Sequence, residues 1–185
     1  MASKRLVILD RDGVINHDSP TYVKSVKEWQ PIRGSLDAIA KLNQAGFRVV
    51  VATNQSGVGR KLFTLEALSQ IHEQMTRSLS AHGASVDAIF FCICTPEQNC
   101  NCRKPKPGML LEIASRTGSD LSKAIMIGDS LRDVEAARAT GAHATLVRTG
   151  NGATTEASLP SEWQVPVYDD LSAAAAAIVR NATSK

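Results

Sequence analysis

The feature that most constrains this 185-residue chain is a short apolar run that ends in two carboxylates. The run from Leu6 to Leu9 is continuous and rich in branched side chains, as expected of a strand buried on both faces of a parallel sheet. Asp10 and Asp12 follow at once, and Gly13 then lets the backbone turn away. Because open parallel sheets bind ligands beyond the carboxyl ends of their strands, we place the functional site here.

Apolar runs and amphipathic segments alternate along the rest of the chain. Further strands are predicted near 47–53, 86–91, 124–128, 144–147 and 165–168, and helices near 35–45, 64–82, 108–116, 130–140 and at the alanine-rich C-terminus. Residues 11–33, with Tyr22 and Trp29 expected to be exposed, and residues 151–164 are predicted to be loops. This alternation indicates a Rossmann-like α/β fold, a parallel sheet with helices on both faces.

Composition argues against several classes of function. The 21 basic and 18 acidic residues leave a net charge of +3, too weak a bias to indicate nucleic-acid binding. No apolar stretch approaches the ~20 residues of a membrane span, and no signal-peptide core is visible. We expect one cytoplasmic domain over 1–185, monomeric, without nucleic-acid or membrane partners. The pI near 8.7 leaves one alternative, a nucleic-acid end-processing or binding module.

Polar residues follow three of the predicted strands, so they should meet at one edge of the sheet. They are Asp10 and Asp12 after the first strand, Thr53, Asn54, Gln55 and Ser56 after the second, and Asp129, Ser130 and Asp133 after the fourth. Two close carboxylates repel each other unless a cation, a shared proton or strong hydrogen bonds compensate. Each residue alone has a structural explanation as a cap, turn or surface group, so the combination carries the inference.

In order and spacing these residues resemble the four motifs of the haloacid-dehalogenase-like phosphatases. The matching positions are Asp10-x-Asp12-Gly13, Thr53, Lys104 and Gly128-Asp129-x-x-x-Asp133. The resemblance implies that Asp10 attacks phosphorus to form an aspartyl-phosphate. It implies that Asp12 protonates the leaving group and then takes a proton from the hydrolytic water.

The same resemblance assigns roles to the later motifs. Thr53 and Lys104 would stabilise charge on the transferring phosphoryl group, as catalytic residues beside the two acids. Mg²⁺ would be held by Asp10, the backbone carbonyl of Asp12, and Asp129. Asp133 would orient Lys104 or a water molecule.

All four cysteines of the chain lie close together. They form two Cys-x-Cys pairs separated by five residues, Cys92 and Cys94 followed by Cys100 and Cys102. Four close thiolates suit one tetrahedral structural Zn²⁺, whereas two disulfides would require an oxidising compartment. We therefore predict a zinc loop over 92–107 that fixes Arg103 and Lys104. The intervals between the motifs leave no room for a cap domain, so the site is expected to be open.

Zinc-loop members of this family without a cap include heptose bisphosphate phosphatases and histidinol-phosphate phosphatases. The runs 53–57, 102–109 and 146–150 resemble the heptose enzymes, whereas the short zinc-loop interval is nearer the histidinol-phosphate type, which stays open as an alternative. The first resemblance implies a sugar phosphate substrate. The reaction would be hydrolysis of the C7 phosphate of heptose 1,7-bisphosphate, with the β anomer as our working choice. The product, heptose 1-phosphate, would serve bacterial surface polysaccharide synthesis.

Substrate contacts are expected from three segments of the chain. They are the loop Asp18, Ser19, Pro20, Thr21 and Tyr22, the run Asn54, Gln55 and Ser56, and the pair Arg103 and Lys104. Arg103 would meet the far phosphate and act as the selectivity residue. Ser130 stands where some heptose enzymes have a lysine, so its contact with that end of the substrate is left open.

Overall fold

A computed structural model describes residues 5–183, so residues 1–4 and 184–185 of the predicted 1–185 domain lie outside the described part. Within residues 5–183 six strands form one sheet: β1 (Leu6–Leu9), β2 (Arg48–Asn54), β3 (Ala88–Cys92), β4 (Ile125–Gly128), β5 (His143–Val147) and β6 (Val167–Tyr168). All paired strands are parallel, and their order is β3-β2-β1-β4-β5-β6. The predicted α/β fold class is confirmed.

Helices connect the strands and cover both faces of the sheet. They are α1 (Ser35–Gln44), α2 (Ser56–Gly59), α3 (Leu65–Ala81), α4 (Gly108–Thr117), α5 (Leu131–Thr140), α6 (Gly152–Ser158) and α7 (Leu171–Thr183). Thr64 Oγ1 accepts the backbone N–H of Ala67 at 3.1 Å and so begins α3. Gly141 ends α5 at φ 76°, in the left-handed conformation that favours glycine, as its position predicted.

The strand β1 is buried on both faces, which explains its unbroken apolar sequence. Val7 and Leu9 pack into the core beneath α1, α3 and α7, whereas Leu6 and Ile8 pack into the core beneath α4 and α5. None of the four side chains is more than 2% exposed. Because successive strand residues point to opposite faces, a central parallel strand needs apolar residues at every position.

Two sequence-based expectations about loops are wrong. Trp29 is only 5% exposed and packs into the core with Val14 and Val23, because residues 11–33 fold back onto the sheet. That return is fixed by the Ile32 N–H, which donates to the Ile15 carbonyl at 2.9 Å. The segment had no hydrophobic period from which this burial could be predicted.

The second error concerns residues 151–164, which contain the short helix α6. Its residues include Gly, Thr and Ser, which are weak helix formers. Thr155 is buried and its hydroxyl donates to the Asp129 carbonyl at 2.9 Å. A tertiary contact rather than helix propensity therefore places α6. The residues 54–63 likewise contain a short helix, α2, that was not predicted.

The buried Trp29 gives a test of how residues 11–33 are anchored. Replacing Trp29 by Ala should lower the free energy of unfolding by about 3–5 kcal/mol, because a large core side chain is lost. Trp29→Phe should cost clearly less, since the indole Nε1 has no hydrogen-bond partner within residues 5–183 and Phe keeps most of the ring contact. Urea unfolding of both variants measures the difference. Equal losses would contradict the proposed packing role.

Candidate active site

The carboxyl ends of β1, β2, β4 and β5 border one pocket of about 420 Å³. Asp10 directly follows β1, and its backbone N–H donates to the Ile127 carbonyl of β4 at 2.9 Å. The strand order reverses direction beside β1, which is where open α/β sheets place their ligands. Most predicted site residues line this pocket, namely Asp10, Asp12, Asp18, Ser19, Pro20, Tyr22, Thr53, Asn54, Gln55, Ser56, Arg103, Lys104, Asp129, Ser130 and Asp133.

A buried lysine lies at the base of the pocket. Lys104 is 1% exposed, and its Nζ lies 3.1 Å from Asp10 Oδ2 and 2.6 Å from Asp133 Oδ1. Nζ also donates to the Ala52 carbonyl at 2.6 Å. Burial alone would lower the pKa of Lys104, but the two carboxylates outweigh it and raise the pKa. Lys104 is therefore a fixed cation beside Asp10.

Asp129 lies close to Asp10, with carboxylate oxygens of the two residues within 4.8 Å. Its Oδ2 accepts the Asn151 backbone N–H at 2.8 Å and the Asn151 Nδ2 at 3.2 Å. Gly13 and Gly150 approach so closely that a Cβ on either residue would collide with this carboxylate. Both glycines also have positive φ angles, so side chains are excluded there for two reasons. The backbone thus encloses Asp129 and fixes its orientation.

Three carboxylates converge here and fit a divalent cation. Oxygen atoms of Asp10, Asp129 and Asp133 lie within 4.8 Å of one another. Burial, followed by Asp133, raises the pKa of Asp129 to about 6, and burial raises the pKa of Asp10 well above its usual range despite Lys104. A hard cation with oxygen ligands would relieve this repulsion. Both oxygens of Asp133 have a partner at 2.6 Å, Lys104 Nζ at Oδ1 and the Ser130 hydroxyl at Oδ2, whereas Lys104 reaches only one oxygen of Asp10, at 3.1 Å. Asp10 and Asp129 therefore keep more oxygen lone pairs for a cation.

Asp12 lies in a different environment, enclosed by hydrogen-bond donors. Arg11 Nε and Nη2 reach its carboxylate at 2.9–3.1 Å, Asn16 Nδ2 reaches Oδ1 at 2.8 Å, and Gln55 Nε2 reaches Oδ2 at 2.8 Å. Burial raises the pKa of Asp12, but the Arg11 guanidinium and the other donors more than offset it and lower the pKa. The pKa values of the two acids in the first motif are therefore shifted in opposite directions, upward for Asp10 and downward for Asp12.

The second motif is connected to the first and to the predicted zinc loop. Thr53 Oγ1 is buried and accepts the same Gln55 amide, at 2.9 Å, that reaches Asp12. Asn54 bonds Lys104 twice, since its Nδ2 donates to the Lys104 carbonyl at 3.0 Å and its Oδ1 accepts the Lys104 N–H at 3.1 Å. The end of β2 therefore fixes both Asp12 and the backbone of Lys104.

The four cysteines converge as the spacing predicted. All four Sγ atoms lie within 4.8 Å of one another, with Cys92 to Cys102 at 3.0 Å and Cys100 to both at 3.4 Å. Burial opposes ionisation of Cys100, but hydrogen bonds, first from Cys94, lower its pKa to about 7. Four sulfurs in this arrangement fit one tetrahedral zinc ion. Arg103 Nη1 donates to the Cys94 carbonyl at 3.1 Å, which holds its guanidinium at the pocket rim.

Thr21 and Ser130, both predicted to contact substrate, also form hydrogen bonds within the protein. Thr21 does not line the pocket, because it bonds to Ser19 and its carbonyl accepts from Lys24 Nζ at 2.8 Å. Ser130 lines the pocket, but its hydroxyl donates to Asp133 Oδ2 at 2.6 Å and so begins α5. Its proton is therefore not available to a substrate.

Sequence reasoning missed several residues around the site, among them Asn151, Arg11 and His72. Asn151 contacts both Asp129 and Asp18, and it follows β5, so the strand-end argument applied to that strand would have found it. Arg11 is 0% exposed and pairs with Asp12, and its Nη1 lies 3.2 Å from His72 Nε2 on α3. No pattern in the sequence links His72 to Arg11, since the two are 61 positions apart.

Comparison with known proteins identifies the family. A family model described as HAD-hydrolase-like matches residues 101–174. Proteins named D-glycero-beta-D-manno-heptose-1,7-bisphosphate 7-phosphatase from Bordetella bronchiseptica and Pseudomonas aeruginosa are 48% and 46% identical over 178 residues, covering 96% of this chain and 99% of theirs. The chain belongs to the haloacid-dehalogenase-like phosphatases. The resemblance found in the four motifs is thereby confirmed.

Solved structures of this phosphatase family agree with the fold. The crystal structure of D,D-heptose 1,7-bisphosphate phosphatase from B. bronchiseptica, complexed with magnesium and phosphate, has a TM-score of 0.92 at 49% identity, and the alignment covers 96% of this chain and 99% of that one. The enzyme from Burkholderia thailandensis has a TM-score of 0.75 at 44% identity, with 95% and 99% coverage. Within residues 5–183 no helix is long and apolar enough to cross a membrane.

The environment of His72 predicts a specific pH dependence of stability. Burial, followed by the Arg11 cation, lowers the pKa of His72 from 6.5 to about 4. The unfolded chain therefore binds a proton at His72 between pH 6.5 and 4 that the folded chain does not. Stability is retained above pH 6.5 and falls by roughly 3 kcal/mol as the pH drops through this window.

A comparison with His72→Gln isolates this contribution. The difference in unfolding free energy between the wild type and the variant, measured in urea, should shift against the wild type as the pH falls from 7 to 4. A difference that stays constant over this range would contradict the assigned environment of His72.

Proposed function

We propose that this phosphatase hydrolyses the C7 phosphate of D-glycero-β-D-manno-heptose 1,7-bisphosphate and leaves heptose 1-phosphate. The phosphoryl-transfer chemistry is supported by one observation above all. The Asp10 carboxylate lies beside the buried Lys104 ammonium in the pocket at the carboxyl ends of the strands. The substrate is supported by the relatives named above, which match this chain over nearly their whole length. As a supplier of surface-polysaccharide precursors the enzyme would act in the cytoplasm.

Each step of the proposed reaction falls to a residue placed above. Asp10 attacks phosphorus, the bond to the leaving oxygen breaks, and Asp12 gives that oxygen its proton. Asp12 then takes a proton from the water that cleaves the aspartyl-phosphate. Lys104 and the Thr53 hydroxyl compensate charge on the phosphoryl oxygens throughout. Asp133 would keep Lys104 in place through the 2.6 Å ion pair, which supports one of the two roles predicted for it.

Two metal ions complete the proposal. Mg²⁺ would be held by Asp10, the Asp12 carbonyl and Asp129, and when bound it would neutralise charge on Asp10 and on the phosphoryl group. The four cysteines would hold a structural Zn²⁺, which supplies no chemistry but stiffens the segment that carries Arg103 and Lys104.

Selectivity is proposed to come from the open rim of the pocket. Asp18, Ser19, Pro20 and Tyr22 form one side of this rim, and Arg103 lies on the zinc-loop side. Arg103 would meet the phosphate at C1, since it is cationic, lines the pocket and forms no ion pair within residues 5–183. We propose that the enzyme is a monomer with one capless domain, and that it binds sugar phosphates rather than nucleic acid.

The substrate assignment is tested by turnover of three compounds with Mg²⁺. The value of kcat/KM for the β-bisphosphate should exceed that for histidinol phosphate by at least about 100-fold, because only the bisphosphate presents a second anion to Arg103. The α-bisphosphate tests the choice of anomer. Asp10→Asn should abolish turnover, by a factor on the order of 10³–10⁶, and so controls for contaminating phosphatases. A preference for histidinol phosphate would refute the assignment.

The zinc assignment makes a separate prediction. Purified wild-type protein should contain one zinc per chain, and Cys100→Ser should lose most of it. Loss of the zinc should cost Cys100→Ser about 3 kcal/mol in free energy of unfolding, which is small beside the binding energies of zinc fingers. This loss corresponds to a fall in Tm of roughly 6–12 °C. Glu97→Gln is a matched control, because Glu97 lies in the same loop but pairs with Arg60 at the surface. Metal analysis that finds no zinc in the wild type would overturn the assignment.

A further inference from the structure

We propose that His72 is a positioning residue for catalysis, acting through Arg11 on the acid and base Asp12. This inference rests on the proposed phosphatase reaction, and it concerns a residue of α3 that lies outside all four motifs. His72 is only 9% exposed, and its ring lies beside that of Phe91 of β3, at 5.7 Å between centroids and 57° between planes. Its position is therefore defined by packing.

The contact between His72 and Arg11 has a fixed direction. Arg11 Nη1 lies 3.2 Å from His72 Nε2, and a guanidinium has donors only. The Nε2 atom must therefore be the unprotonated nitrogen that accepts the bond. Within residues 5–183 the guanidinium of Arg11 forms hydrogen bonds only with His72 and Asp12. Nε and Nη2 bond Asp12, so His72 is the residue that holds Nη1.

The Arg11 fork in turn fixes the rotation of the Asp12 carboxylate. Nε and Nη2 both reach Oδ1, and Nη2 also reaches Oδ2. The Oδ2 atom shares the Gln55 amide with Thr53 Oγ1, so it lies on the side of the phosphoryl site. A planar guanidinium that is hydrogen-bonded to His72 as well as to Asp12 restricts the Asp12 carboxylate more than one bonded to Asp12 alone.

Positioning of this kind should affect one chemical event selectively. When the bond from phosphorus to an alkyl oxygen breaks, the electron pair remains on that oxygen, and Asp12 must deliver a proton to it. In p-nitrophenyl phosphate the leaving group departs as a stable phenolate and does not need this proton. A change in the placement of Asp12 should therefore slow release of the sugar more than release of p-nitrophenolate.

The test compares these two leaving groups under single-turnover conditions with enzyme in excess. For His72→Leu, which keeps an apolar contact with Phe91 but lacks the acceptor, the single-turnover rate constant for sugar release divided by that for p-nitrophenolate release should fall about 10- to 100-fold. His72→Gln, whose amide oxygen can accept from Arg11, should restore most of the ratio. His82→Leu is the control at the end of the same helix, since within residues 5–183 the His82 ring bonds only the Ser78 carbonyl.

The ratio is independent of how much of each variant is folded, because both rates come from the same preparation. A ratio for His72→Leu equal to that of the wild type would overturn the proposal, as would failure of His72→Gln to recover. If the wild type preferred another alkyl phosphate, the proposed substrate would fail, but the same comparison with that phosphate would still test His72.

Discussion

The interaction on which the site depends is the burial of the Lys104 ammonium between Asp10 and Asp133. Removing a cation from water costs several kcal/mol, and the cost is offset only when its partners satisfy it closely. Here Nζ has two carboxylates and the Ala52 carbonyl within 3.1 Å. Loss of either carboxylate would remove one of the two counter-charges of the buried ammonium. Separating these charges is costly, which favours one arrangement of the three side chains.

This requirement explains the contacts around the site. Asp133 is held by the Ser130 hydroxyl and N–H at the start of α5, so a helix cap also orients the partner of Lys104. Asn54 binds the Lys104 backbone on both sides, and the cysteine cluster lies directly before Arg103 in sequence. The backbone of the predicted zinc loop is thereby attached to strand β2. A loop with little apolar content of its own can then hold the Lys104 ammonium in a fixed position.

Much of this arrangement could be predicted from the sequence, for a physical reason. The alternation of buried strands and amphipathic helices indicated the sheet, and parallel topology then forces the residues after β1, β2 and β4 to one edge. The four close cysteines indicated their own cluster. Trp29, α6 and the Arg11–His72 contact could not be found, since each depends on tertiary packing between distant segments. A fully buried arginine is also contrary to the usual location of that residue.

The two acids of the first motif show why geometry must accompany the pKa directions. Burial raises the pKa of Asp10, whereas Arg11, Asn16 and Gln55 hold that of Asp12 down against its burial. Taken alone, these shifts would make Asp10 the proton donor and Asp12 the ionised nucleophile. The contacts favour the reverse assignment.

A nucleophilic carboxylate needs an oxygen that keeps a lone pair free of hydrogen-bond donors. Both oxygens of Asp12 accept from more than one donor, whereas within residues 5–183 each oxygen of Asp10 has a single partner, the Arg11 N–H at Oδ1 and Lys104 Nζ at Oδ2. A cation between Asp10 and Asp129 would lower the pKa of both, and a phosphate dianion beside Asp12 would raise its pKa. When bound, the cation and the substrate would thus move each acid toward the protonation state that its position requires.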